Sequence, residues 1–89
     1  MTVERLTLGK IYITPGAQAS VKFQTVVAAL ERHSRGDWGE IPDHDKEVNA
    51  EALESGERIM SAYTSRGVRF WIITEADRSI TTVLLPEDY

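Results

Sequence analysis

The sequence predicts a small α+β domain over residues 1–89, in the order β-α-α-β-β-β, with two helices packed on one face of an antiparallel sheet. Three observations carry that prediction. A β-branched stretch opens the chain at residues 6–14, and a stretch with apolar residues at helical spacing follows it. The last third then holds three β-branched or aromatic runs joined by short polar turns. A chain of 89 residues is long enough for one core and too short for two.

Within residues 6–14, LTLGKIYIT, Ile11 and Ile13 fall on one side and Leu6, Leu8 and Tyr12 on the other. This reads as a well-buried strand, with Gly9 as a bulge or a point of close approach. Thr14-Pro15-Gly16 stops it, since Thr can cap and Pro presets the φ of a turn or of a first helical residue. In residues 20–36, SVKFQTVVAALERHSRG, Phe23, Val26, Val27 and Leu30 recur at i, i+3, i+4 and i+7, one helical face. Ser20 is placed to cap this helix and Gly36 to end it, with Arg32, His33 and Arg35 complementing the dipole in the last turn.

Gly and Pro mark residues 37–42, DWGEIP, as a loop. Asp43 then caps a second helix, HDKEVNAEALES, which turns Val48, Ala52 and Leu53 inward and stops at Gly56. Strands follow at residues 58–64, 68–74 and 80–85, with Ser65-Arg66-Gly67 and residues 75–79 as hairpin connections. In the middle strand Phe70, Ile72 and Thr74 share one face, and Arg69, Trp71 and Ile73 share the other, half-exposed one.

At 42% hydrophobic and 27% charged, the chain has a globular rather than a disordered composition. The absence of cysteine excludes disulfides, thiolate metal sites and thiol nucleophiles. No apolar stretch approaches the roughly 18 residues needed to cross a bilayer. MTVERLTLGKIYITPG has neither the basic nor the apolar region of a signal peptide, so a cytoplasmic location without membrane contact is expected. A net charge of −4 runs against direct nucleic-acid binding. That charge is polarised: residues 37–57 carry −7, leaving +3 for the remainder, which includes Arg5, Lys10, Lys22, Arg66 and Arg69.

Several groupings invite a functional reading. The knot Glu75-Ala76-Asp77-Arg78-Ser79 is either a self-satisfied hairpin turn, which its turn chemistry favours, or a polar cluster with Thr81 and Thr82 at one sheet end. Asp43, Glu47, Glu51 and Glu54 recur at i, i+4, i+8 and i+11 and make one acidic stripe along the second helix. Like charges so spaced destabilise an isolated helix by a few tenths of a kcal/mol per pair. Trp38, beside Asp37 in a glycine-flanked loop, is either a lid folded over the core or an interface anchor. His33, Asp37, Asp43, His44 and Asp45 match no compact metal-ligand spacing, so no metal is expected. No nucleophile elbow, phosphate-binding glycine loop or other catalytic constellation is present, and no cofactor is expected.

RHSRGDWGEI, NAEALESGERIMSAYT and the ending WIITEADRSITTVLLPEDY resemble a group of small bacterial proteins carried on plasmids, prophages and integrative elements. Some of that group are labelled as a subunit of the modification component of a type I restriction enzyme. The resemblance runs from Leu8 to the end and implies a mobile-element setting; it brings no catalytic residues with it. A methyltransferase would require a doubly wound cofactor domain with a glycine-rich first turn and an Asn-Pro-Pro-type tetrapeptide, and neither is present.

Two function classes follow. The first is a non-enzymatic accessory or inhibitor that binds a host or defence protein through Asp43, Glu47, Glu51, Glu54 and the Asp37-Trp38 loop. The second is a small-ligand or nucleotide-sensing module with Arg69, Trp71, Arg78, Thr81 and Thr82 lining a pocket. A weaker third uses the basic remainder to meet DNA. A chain this short gains core by pairing, and its edge strands give a route to a homo-oligomer.

Overall fold

The computed structural model describes residues 6–89. Its elements run β1 (Lys10–Ile13), α1 (Pro15–Ser20), α2 (Phe23–Ser34), α3 (Asp43–Ser55), β2 (Ile59–Ser65), β3 (Val68–Thr74) and β4 (Ile80–Leu84), with a final 3-10 turn at Pro86–Asp88. The α+β class predicted from the sequence is the class observed. Two details differ: a third helix is present, and the sheet is mixed.

The strands stand in the order β1-β4-β3-β2. β2, β3 and β4 form the expected antiparallel meander, whereas β1 pairs with β4 in parallel, Lys10 opposite Ile80 and Ile13 opposite Val83. The helices explain this. They carry the chain from β1 to the far edge of the sheet, and three strands of meander then return β4 alongside β1 in the same direction. β1 is also shorter than its apolar pattern: Gly9, just before it, holds a left-handed φ of 67° and packs so closely on the Ser79 carbonyl that a Cβ there would overlap it.

The extra helix comes from capping. Thr14 Oγ1 accepts the Ala17 N–H at 3.2 Å, and Pro15 supplies the first helical residue. Ser20 therefore closes α1 rather than capping α2, which begins after Lys22 with no side-chain cap. α3 starts one residue earlier than expected, with Pro42 in the cap position and Asp43 as its first residue; it ends, as expected, at Gly56 in a left-handed conformation.

α2 lies on the sheet face formed by Phe70, Ile72, Val83 and Tyr63, and buries Val26, Ala29 and His33 there. Phe23 and Val27, read from the sequence as core, point out to solvent. α3 runs beside β2 instead of joining α2 on that face. Its buried residues are Asn49 and Ala52, while Val48 and Leu53 remain half exposed. The Asn49 amide substitutes for a neighbouring strand, donating to the Met60 carbonyl at 2.8 Å and accepting the Met60 N–H at 3.4 Å. The next outward-facing backbone pair belongs to Ala62. Its N–H donates to the Trp38 carbonyl at 3.2 Å, and its carbonyl accepts the Glu40 N–H at 2.7 Å. The outer edge of β2 is thus closed by residues from α3 and from the loop before it.

Gly39 makes that closure feasible. It holds a positive φ of 73° and sits on the Ala62 carbonyl and the Tyr63 ring with no room for a Cβ. Gly39→Ala adds backbone strain to a backbone clash and should lower the unfolding free energy by about 3 kcal/mol. A urea titration checks this; a variant as stable as the parent would contradict the described edge.

Candidate functional site

The deepest cluster of chemistry-bearing side chains lies between α2 and the sheet. His33 completes the buried stripe of α2, four residues after Ala29. It faces Ser61 of β2 and Thr74 of β3, and Thr74 in turn meets Thr81 of β4. All four side chains are fully buried. His33 Nδ1 is hydrogen-bonded to Ser61 Oγ, His33 Nε2 lies 2.9 Å from Thr74 Oγ1, Thr74 Oγ1 lies 2.8 Å from Thr81 Oγ1, and Thr81 donates to the Leu8 carbonyl at 2.7 Å.

With a neutral ring, one proton arrangement satisfies every contact. Because Thr81 gives its only hydrogen to Leu8, Thr74 must donate to Thr81. Thr74 then accepts from His33 Nε2–H, and Ser61 donates to the bare Nδ1. The imidazole is neutral, as the Nε2–H tautomer. Burial pushes its pKa down from the usual 6.5 to about 4. The protonated, dipole-complementing imidazole expected from its place in the last turn is not what forms. The Trp38 indole seals this cluster, packing edge-on against His33 at 5.7 Å between ring centres. A serine paired with a histidine resembles a nucleophile and its base, but Ser61 is wholly buried and its hydroxyl does not reach the surface.

The hairpin knot resolves as a turn. Asp77 accepts the Ser79 N–H at 3.0 Å and the Ser79 hydroxyl at 2.6 Å; these bonds, the hydroxyl first, hold its pKa below the ordinary carboxylate value. Arg78 points back into the protein. Its guanidinium donates to the carbonyls of Glu57 at 2.6 Å, Ala52 at 2.8 Å and Glu75 at 3.2 Å, fastening the hairpin to the C-terminal end of α3. Glu75 pairs loosely with Arg58 at 3.4 Å. Thr81 belongs to the buried hydroxyl chain, and Thr82 points to the opposite face of the sheet.

The other residues of the expected ligand pocket do not join this end. Arg69 lies at the start of β3, donating to the Glu40 carbonyl at 2.9 Å. Trp71 is half buried on the same face of β3 as Arg69, edge-on to Tyr89 at 5.7 Å. Arg69, Trp71, Arg78, Thr81 and Thr82 are thus spread over two faces and both ends of the sheet and do not converge on one cavity.

The protein-binding set divides as well. Trp38 is buried as a core lid, so the loop presents Asp37 rather than its indole. Asp37 accepts from Arg32 at 2.7 Å and from the Gly39 N–H at 3.3 Å, and the Arg32 hydrogen bond chiefly holds its pKa below the usual range. Asp43, Glu47, Glu51 and Glu54 are exposed along α3 and make no ion pair with any described residue. Among the described residues, no group of three or more His, Asp or Glu is placed to hold a metal ion, and no helix is long and apolar enough to cross a membrane. Of the basic remainder, Arg5 lies outside the described residues.

Comparison with protein-family models, curated proteins and solved structures finds no match to this chain.

A neutral, buried His33 makes stability fall with acidity. Between pH 6.5 and 4 the unfolded chain binds a proton that the folded chain refuses, so His33 accounts for about 3 kcal/mol of lost stability across that window. His33→Gln should lower stability at pH 7 by about 1–3 kcal/mol and flatten the slope in that window. Unfolding titrations of parent and variant from pH 4 to 7 measure both effects; parallel pH curves would contradict the assignment.

Proposed function

We propose that this protein is a non-enzymatic accessory or inhibitor of mobile-element origin that binds a host or defence protein carrying a basic surface. The observation that carries this reading is the state of α3. Only Asn49 and Ala52 of its thirteen residues are buried. Its four-acid stripe is exposed and makes no ion pair with any described residue, and Val48 and Leu53 stand half exposed on the same helix. Such a helix costs folding free energy through its like charges and returns little of it by packing. A basic partner would relieve that repulsion, gain from steered encounter and cover two aliphatic side chains.

Asp37 and Glu40, in the loop that leads into α3, carry the same sign of charge but are paired with Arg32 and Arg69. The internal use of Ser61, His33, Thr74 and Thr81 supports a binding role over catalysis, because the side chains best suited to proton transfer are sealed inside. The mobile-element setting rests on the resemblance described above.

Reversing Glu47, Glu51 and Glu54 to Lys tests the reading. The triple variant should stay folded, with stability within about 1 kcal/mol of the parent. It should also lose the proteins that the parent captures from a host lysate at low salt. Capture by the parent should weaken as salt is raised, since the contacts are exposed charges. An unchanged set of captured proteins would remove α3 from the account.

A further inference from the structure

We propose that the open edge of β1, together with the apolar side of α2 beside it, is a twofold interface between two copies of this chain. This goes beyond the α3 reading and uses the opposite edge of the sheet. The two edges are built differently. On β2 the backbone groups of Met60 and Ala62 are satisfied by Asn49, Trp38 and Glu40. On β1 the ladder to β4 takes the alternate residues: Lys10 N–H donates to Ser79 at 2.9 Å and Thr14 N–H to Val83 at 3.0 Å. By the alternation of a parallel ladder, the N–H and carbonyl groups of Ile11 and Ile13 point away from the sheet. No proline, bulge or second charge within β1 protects this edge.

The side chains beside it are apolar and exposed: Phe23 70%, Tyr12 52%, Val27 48% and Ile11 46%. A groove of about 360 Å³ runs between β1 and α2, lined by Ile11, Ile13, Phe23, Val27 and Leu30.

A second copy fits this edge. Antiparallel pairing about a twofold axis at Tyr12 sets Ile11 of one chain against Ile13 of the other. Each such pair exchanges two hydrogen bonds, so the outward groups of both strands satisfy one another with none left over. The same axis runs the two α2 helices antiparallel. The strongly acidic residues 37–57 lie beyond the β2 edge, three strands away, so pairing through β1 keeps the two regions of like charge apart.

The area also suffices. The four exposed side chains hold on the order of 400 Å², about half of what each partner in a stable complex contributes, and the strand backbone and groove walls supply the remainder. Joined in this way, two sheets become one of eight strands.

The test is the mass of the purified full chain by sedimentation equilibrium at concentrations up to about 100 µM, with amide hydrogen exchange at Ile11 and Ile13. The parent should show twice the 10.0 kDa of one chain, with both amides protected more strongly as concentration rises. Val27→Lys and Phe23→Lys change exposed positions and leave the core intact. Each should raise the dissociation constant at least roughly tenfold. A parent of 10.0 kDa at the highest concentration would overturn the proposal. So would a dimer whose affinity both variants leave unchanged, because it would pair through another surface. If a foreign strand rather than a second copy occupies the edge, the purified chain is monomeric and the proposal fails by the first criterion.

Discussion

The fold depends on a single line of hydrogen bonds that crosses the whole sheet. It begins at Ser61 on β2, passes through the His33 ring on α2 to Thr74 on β3 and Thr81 on β4, and ends on the Leu8 carbonyl just before β1. Each strand, or the segment leading into it, contributes one member, and the helix contributes the residue that joins two of them. An imidazole is a poor choice for filling apolar space, because it brings two ring nitrogens that must both find partners. Here the partners come from two different strands, β2 and β3, so the nitrogens are satisfied only when α2 sits in one position and the strands hold one register. A typical hydrogen bond is worth about 1 kcal/mol net, yet an orphaned buried partner costs about 1–3 kcal/mol. The line therefore stabilises the native arrangement modestly and penalises slipped alternatives more heavily.

That arrangement also governs where activity can reside. The Ser61, His33, Thr74 and Thr81 side chains are committed to one another behind Trp38. The hairpin knot is similarly occupied, its arginine bound to three backbone carbonyls and its aspartate to the following serine. The proposed binding role places recognition on the outside. Among the described residues the two edges of the sheet differ in kind: an acidic helix borders a closed edge, and an apolar helix face borders an open one. A pair of chains joined at the open edges would display two acidic helices at opposite ends and engage a partner bivalently.

Much of this was readable in the residues. The period-2 alternation of VRFWIIT gives β3 its bounds and its faces, and Gly9 and Gly56 act where their positions suggested. Capping read less well. Thr14-Pro15 has the chemistry of a helix start, but a six-residue helix has too few apolar positions to declare a period. The apolar run Phe23, Val26, Val27, Leu30 shows that helical spacing identifies a face without saying what covers it; half of that face is exposed. Parallel pairing of β1 was not legible, because local pattern does not encode which strand a returning chain will meet. The hydroxyl chain left a fainter mark: Ser61, Thr74 and Thr81 fall at inward positions of apolar strands, and His33 extends the helix stripe to its end. Inward polar residues on three strands and one helix must find one another, and that was the available signal.

The hydrogen-bonded line requires one protonation state and one tautomer of the His33 imidazole, and nitrogen-15 NMR of that ring reports both directly. The structure predicts a neutral ring at pH 7 with its hydrogen on Nε2, a slowly exchanging Nε2–H resonance, and no titration until the pH approaches about 4. A ring that titrates near 6.5, or that carries its proton on Nδ1, would mean that the hydrogen-bonded line does not exist as described.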